Sequence, residues 1–218
     1  MKTYRTVIFD LDGTLLNTIE DLTDSVNHVM DYYNYPKHSV EAVTSFVGHG
    51  LKRLMQRAVP EGTTEERVEE VFEMMRQYYT EHCQVKTRPY DGIMDLLRQL
   101  KTENYRLAIV SNKNQAAVTE LNKIYFDEVI SVAIGQSEGV AAKPAPDSVF
   151  EAMRQLGVTK EEVIYVGDSE VDKETADRAG VDCILVSWGF RGKEAVTELA
   201  PTFVVDHASE IYDIVSEK

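Results

Sequence analysis

Short, nearly continuous apolar runs recur along the chain at residues 6–9, 107–110, 129–132, 163–166, 183–186 and 203–205. Runs of this length without alternation are what strands covered on both faces look like. Between them the apolar positions fall at helical spacing. Ile93, Leu96, Leu97 and Leu100 make one stripe, with Asp91 placed to cap it. Asn114 can cap the next helix, and Thr159 and Glu162 have the spacing of a capping box before a short turn. Strand and helix in alternation predict a parallel sheet with helices on both faces. One stretch departs from this rhythm. Residues 17–82 carry only helical patterns, among them Val68, Val71, Phe72, Met75 and Tyr79 on one face of a helix opened by Thr63 and Glu66. This stretch is expected to be a helical insertion after the first strand, with linkers near residues 15–17 and 83–89.

The first apolar run ends in Asp10 and Asp12. Residues two apart on a strand point to the same face, so two like charges sit together at the edge of the core. In an open parallel sheet, ligands bind outside the carboxyl ends of the strands. The residues after each run therefore matter most. They are Asp10, Asp12, Gly13 and Thr14; Ser111 and Asn112; Lys143 and Pro144; Gly167, Asp168, Ser169 and Asp172; and a loop from Ser187 to Gly192 containing Arg191. Singly each is ordinary: an Asp-Gly turn, a helix cap, a surface lysine. Together they suit phosphate chemistry on a divalent cation. Adjacent carboxylates raise one another's pKa or demand a counter-charge. A hard cation with oxygen ligands supplies that charge, with Asp168 as a third carboxylate.

Composition bounds the partners. The 218 residues make about one and a half average domains, enough for a core and a small appended unit. The net charge is −14, with no Lys/Arg run, which disfavours nucleic acid and anionic membrane as partners. No signal peptide is expected, and no segment approaches the roughly 18 apolar residues of a membrane span. Cys83 and Cys183 lack metal-type spacing and read as buried reduced thiols, consistent with the cytoplasm.

Four motifs carry a resemblance to a known family: Asp10-Leu11-Asp12-Gly13-Thr14, Ser111-Asn112, Lys143-Pro144, and Gly167-Asp168-Ser169-Glu170-Val171-Asp172. With them the whole chain resembles a haloacid dehalogenase superfamily phosphatase with a helical cap. Within that superfamily it is most similar to phosphoglycolate phosphatases, through Pro89-Tyr90-Asp91-Gly92 and the stretch from Ala179 to Arg191. The resemblance implies an α/β fold: a Rossmann-like parallel-sheet core (residues 1–16 and 83–218) interrupted by an α-helical cap domain (residues 17–82). It implies Asp10 as a nucleophile forming an aspartyl-phosphate. Asp12 would be the general acid and then the base, for which anionic neighbours push its pKa in the right direction. Ser111 and Lys143 would meet phosphoryl charge, and Thr14 and Asn112 would bind substrate. Mg²⁺ would be held by Asp10, the backbone carbonyl of Asp12, Asp168 and, directly or through water, Asp172.

The cap would act as a lid, with the loop around Gly48, His49 and Gly50 setting specificity and Lys52 and Arg53 just beyond. For a substrate carboxylate, His49, Arg53 and Arg191 are the candidate donors. Arg191 could equally pair with a surface acid. The expected substrate is a small phosphorylated metabolite, first 2-phosphoglycolate. Pyrophosphate, a broader set of sugar or nucleotide phosphates, and a sugar phosphomutase reaction remain alternatives. A monomer or homodimer is expected. A phospho-accepting receiver would be about half this length, and a dehalogenase would need neither Asp12 nor a metal.

Overall fold

The computed structural model describes residues 3–48 and 50–217. The chain divides into two compact units: residues 1–16 with 89–218, and residues 17–88. In chain order the strands are β1 (Thr6–Phe9), β2 (Leu16–Asn17), β3 (Arg88–Pro89), β4 (Arg106–Asn114), β5 (Val132–Gln136), β6 (Val163–Gly167), β7 (Asp182–Val186) and β8 (Phe203–Val205). The first unit is built on a six-stranded sheet in the order β5-β4-β1-β6-β7-β8. Every neighbouring pair in it is parallel. β2 and β3 form a separate two-stranded ribbon where the chain leaves and re-enters this unit.

The helices are α1 (Ile19–Tyr32), α2 (Val40–Phe46), α3 (Gly50–Ala58), α4 (Glu65–His82), α5 (Ile93–Thr102), α6 (Gln115–Tyr125), α7 (Asp147–Leu156), α8 (Glu170–Ala179), α9 (Gly192–Glu198) and α10 (Ala208–Ser216). One face of the sheet buries Ile8, Ala108, Val110, Tyr165 and Leu185 against Val149 and Ala152 of α7, Ala176 of α8 and Val196 of α9. The intervening residues Val7, Phe9, Ile109, Ile164 and Val166 are equally buried. Alternating side chains are thus buried throughout, which is why these strands read as unbroken apolar runs. Cys83 and Cys183 are buried, and neither is in a disulfide.

The second unit is α1 to α4. On α4, Val68, Val71, Met75 and Tyr79 are buried at helical spacing, while Phe72 is only half-buried. Residues 83–88, placed with the core by sequence, group with this unit. The buried Asp21 carboxylate explains the grouping, because it accepts the Lys86 and Thr87 N–H groups at 2.8–2.9 Å.

Three local expectations shift. Thr64, not Thr63, caps α4 by accepting the Arg67 N–H; the Thr63 hydroxyl is engaged with the Pro60 carbonyl at 2.6 Å. Gly92 occupies the N-cap of α5, with no side-chain cap from Asp91. Residues 129–132 were expected as a strand, but β5 begins only at Val132. The Val129 and Ile130 N–H groups both return to the Phe126 carbonyl and close the end of α6. Asn114 does cap α6, accepting the Ala117 N–H at 2.9 Å.

Candidate active site

The carboxyl ends of β1, β4 and β6 are adjacent, because β1 lies between the other two. Asp10 extends β1 by one ladder bond, its N–H donating to the Val166 carbonyl at 2.8 Å. The chain then turns sharply. The Leu11 carbonyl accepts from Leu15 and Leu16, and Gly13 adopts φ +89°. A side chain at Gly13 would be strained by that backbone and would also collide with the Asp168 carboxylate. Asp168 follows the last residue of β6, and Asp172 lies in the first turn of α8.

Carboxylate oxygens of Asp10, Asp168 and Asp172 lie within 4.8 Å of one another, and all three residues are buried. A single ammonium threads this group. Lys143 Nζ stands 2.7 Å from Asp10 Oδ1, 2.8 Å from Asp172 Oδ1 and 3.0 Å from Tyr165 Oη. Asp172 is the most fully satisfied acid. Besides Lys143 it accepts from Tyr165 Oη (3.0 Å), Ser169 Oγ (2.6 Å) and the Asp168 N–H (3.2 Å). Asp168 Oδ2 accepts the Phe190 N–H at 2.6 Å.

Electrostatics separates these acids. Burial pushes Asp10 up to about 7, with Asp172 and Asp12 adding to the rise and Lys143 opposing it. Burial first, then Asp172 and Asp10, holds Asp168 well above the usual carboxylate range. At Asp172 burial is overcome by the Lys143 ammonium and the hydrogen bonds it receives, so its pKa is lowered. Burial works against the charge on Lys143, but Asp10 and Asp172 raise its pKa well above the ordinary value. Among the described residues, the three buried carboxylates face the Lys143 ammonium, with Arg191 acting on Asp168 as well, and the remaining excess of negative charge is the condition a hard divalent cation relieves.

Of the residues singled out by sequence, Asp10, Lys143, Asp168 and Asp172 meet in this cluster. Ser111 and Asn112 lie within β4 rather than after it. The Asn112 amide brackets the Lys143 backbone, accepting its N–H at 2.7 Å and donating to its carbonyl at 3.0 Å. The Asp12 carboxylate stands outside the metal-type cluster. The anionic surroundings expected for it are offset by a cation, since Lys113 Nζ lies 2.7 Å from Asp12 Oδ1, while Ser111 Oγ donates to Oδ2 at 3.4 Å. Thr14 is buried, and its carbonyl accepts the Trp188 indole N–H.

Arg191 forms a two-pronged pair with Glu170 at 2.8 and 2.9 Å. Arg53 is exposed on α3, donating to Gln56, and Lys52 pairs with Glu69. His49 lies outside the described residues.

Two residues at the site were missed in the sequence. Lys113 is two residues beyond Ser111 in an extended stretch, so it shares that residue's face. Tyr165 is the one hydroxyl in the otherwise aliphatic run of β6. Both signals were present, but neither distinguishes a site residue from a surface lysine or a core tyrosine.

The fold agrees with the comparisons to known proteins. The family model for haloacid dehalogenase-like hydrolases matches residues 7–186. The chain belongs to that family. It is 32% identical over 214 residues to the pyrophosphatase PpaX of Halalkalibacterium halodurans, covering 98% of this chain and 97% of that one. It is 30% identical over 213 residues to phosphoglycolate phosphatase 1 of Pseudomonas aeruginosa, covering 95% of this chain and 78% of that protein. A crystal structure of a candidate phosphoglycolate phosphatase from Lactobacillus delbrueckii subsp. bulgaricus superposes with a TM-score of 0.94, at 34% identity, over 100% of both chains.

Among the described residues, no helix is long and apolar enough to cross a membrane.

Proposed function

We propose that the chain is a Mg²⁺-dependent phosphomonoesterase that works through an aspartyl-phosphate on Asp10, with 2-phosphoglycolate as its preferred small-metabolite substrate in the cytoplasm. The observation that carries this reading is the Asp10–Lys143–Asp172 arrangement. One buried carboxylate at a strand end is oriented by an ammonium that is itself held from behind by Asp172 and Tyr165. Such a carboxylate is presented to a ligand in one orientation, which is what in-line attack on phosphorus needs.

The donor set fits Mg²⁺, since it is all oxygen, buried and short of positive charge. Asp10 and Asp168 would hold it, with the backbone carbonyl of Asp12. Asp172, with its four hydrogen bonds already committed, would act on the ion through its neighbours. When bound, the cation neutralises charge on the transferring phosphoryl group.

The chain's own groups divide the remaining work. Asp10 attacks phosphorus as the P–O bond to the leaving alkoxide breaks. Asp12 protonates that alkoxide and then takes a proton from the water that hydrolyses the aspartyl-phosphate. Lys143, its three N–H groups committed to Asp10, Asp172 and Tyr165, meets phosphoryl charge through its own positive charge, Ser111 donates to a phosphoryl oxygen, and Asn112 keeps the Lys143 backbone in place. Thr14, fully buried, would act by tying its loop to Trp188. The inserted helical unit is read as a cap, with His49 and Arg53 as candidate contacts. Arg191, held by Glu170, would act by shaping its loop.

The choice of 2-phosphoglycolate rests on the Pseudomonas and Lactobacillus relatives. The similarity to PpaX favours pyrophosphate as a second reading. The test is kcat/KM for 2-phosphoglycolate, pyrophosphate and p-nitrophenyl phosphate with Mg²⁺. The proposal expects 2-phosphoglycolate to lead. A lead for pyrophosphate replaces the substrate and keeps the chemistry, whereas no Mg²⁺-dependent turnover of any of the three rejects the enzyme reading.

A further inference from the structure

The ends of β4 point to a role for a residue that the phosphatase reading does not use. From Ser111 to Lys113 the strand alternates. Asn112 reaches one way to the Lys143 backbone, while Ser111 and Lys113 reach the other way to Asp12. Lys113 is buried, its side chain 5% exposed against 21% for that of Asp12. An ammonium taken this far out of water is stable only with a partner, and at 2.7 Å Asp12 is one. The Lys113 N–H also donates to Ser111 Oγ at 3.1 Å, closing a small ring of Ser111, Lys113 and Asp12.

The backbone under this ring is held firmly. Gln115 bridges to β5 from both ends of its amide, donating to the Ala133 carbonyl at 3.0 Å and accepting the Gly135 N–H at 2.7 Å. Gly135 lets the strands approach, since a Cβ there would lie 2.7 Å from the Lys113 carbonyl oxygen. A long, flexible lysine on a loop would hold nothing in place. This one is short of freedom at both ends, so it can fix the direction of the carboxyl it binds.

We propose that Lys113 is a positioning residue: its ammonium holds Asp12 so that the carboxyl addresses the leaving-group oxygen. The proposal rests on the reading of Asp12 as the proton-transfer group. Lys113 acts through Asp12 and makes no contact with substrate, so its influence is confined to the steps in which Asp12 moves a proton. An alkyl leaving group such as that of 2-phosphoglycolate needs that proton, and p-nitrophenolate barely does.

The experiment is a cycle of Lys113→Met, Asp12→Asn and the double variant, with Lys113→Arg alongside. Each is assayed on 2-phosphoglycolate and p-nitrophenyl phosphate, and folding is checked by thermal melting. General acid–base help is worth ~10²–10⁴ in rate, and misdirecting the acid forfeits part of it. Lys113→Met should therefore lower kcat about 10- to 100-fold on 2-phosphoglycolate, much less on p-nitrophenyl phosphate, with KM nearly constant. Lys113→Arg should recover most of the loss. On the Asp12→Asn background, Lys113→Met should cost almost nothing further, because both changes remove one function.

A multiplicative loss in the double variant, equal losses on the two substrates, or a loss confined to KM would each overturn the proposal. Asp12→Asn with wild-type turnover would overturn it for a different reason, since the proton-transfer reading of Asp12 would itself be gone. The single variants thus tell the two failures apart.

Discussion

Asn112 and Lys143 exchange two hydrogen bonds: the Lys143 N–H donates to Asn112 Oδ1 at 2.7 Å, and Asn112 Nδ2 donates to the Lys143 carbonyl at 3.0 Å. A side chain on β4 thereby sets the backbone of a lysine 31 positions later in the chain. Asn112→Ala removes both bonds and leaves a half-buried N–H and C=O to find water. Two groups lose a partner at up to about 1–3 kcal/mol each, and water reaching them offsets part of that, so a net loss of about 1–3 kcal/mol is expected. Turnover should fall as well, because Lys143 loses its seat beside Asp10. Chemical denaturation and kcat on p-nitrophenyl phosphate check both; unchanged kcat would mean that Lys143 is placed by its ammonium contacts alone.

Asp10→Asn keeps shape and removes the attacking oxygen anion. Turnover should vanish while the chain stays folded, since burial already disfavours the charge at this position. The check is loss of both steady-state turnover and acid-trapped phosphoenzyme. Wild-type rates in this variant would exclude the aspartyl-phosphate route.

Asp168 and Asp172 should separate under Mg²⁺ titration. Among the described residues, the Asp168 carboxylate accepts one hydrogen bond, from the Phe190 N–H, whereas that of Asp172 accepts four. Asp168→Ala is expected to raise the Mg²⁺ concentration for half-maximal activity steeply. Asp172→Asn is expected to lower kcat through Lys143 and to move the Mg²⁺ midpoint far less. Equal midpoint shifts in the two variants would place both acids on the ion.

Tyr165→Phe deletes one of the three acceptors around Lys143 Nζ and one donor to Asp172. A buried hydrogen bond contributes a net ~0.5–1.5 kcal/mol, more to a charged partner. Stability should drop by roughly that amount per bond lost, and kcat should fall several-fold with KM little changed. A variant with wild-type kcat would leave Tyr165 a core residue only.

Tyr4 offers a pH test away from the site. Its hydroxyl donates to Asp182 Oδ2 at 2.7 Å, and burial, then this bond, raises its pKa above the ordinary value. The neutral phenol is thus favoured in the folded chain. Its stabilisation is fully present below the unfolded value of about 10 and is lost as pH rises toward the higher folded value. Tyr4→Phe should flatten the alkaline end of the stability curve; an unchanged slope between pH 9 and 11, on the order of that titration range, would assign the slope to other groups.

Much of this molecule is determined locally, and so was legible from the sequence. Unbroken apolar runs mark β1, β6 and β7 because both faces of each strand are covered, and they mark the edge strand β8 as well, although Phe203 and Val204 are only half-buried. The Asp10–Asp12 pair stood out because like charges at a strand end need a reason. Boundaries were harder. Thr63 and Thr64 are chemically equivalent caps, and only the Pro60 carbonyl, which engages the Thr63 hydroxyl, decides between them.

The partners of each site residue were decided by tertiary structure alone. Lys113 and Tyr165 carry side chains that are common on surfaces and in cores. What gives them meaning is the strand order, which brings β4 and β6 to either side of β1 and so sets Lys113 on Asp12 and Tyr165 on Lys143. Pairings across about 100 residues, such as Asp12 with Lys113, leave no periodicity in a single chain. They exist only once the sheet has closed the distance.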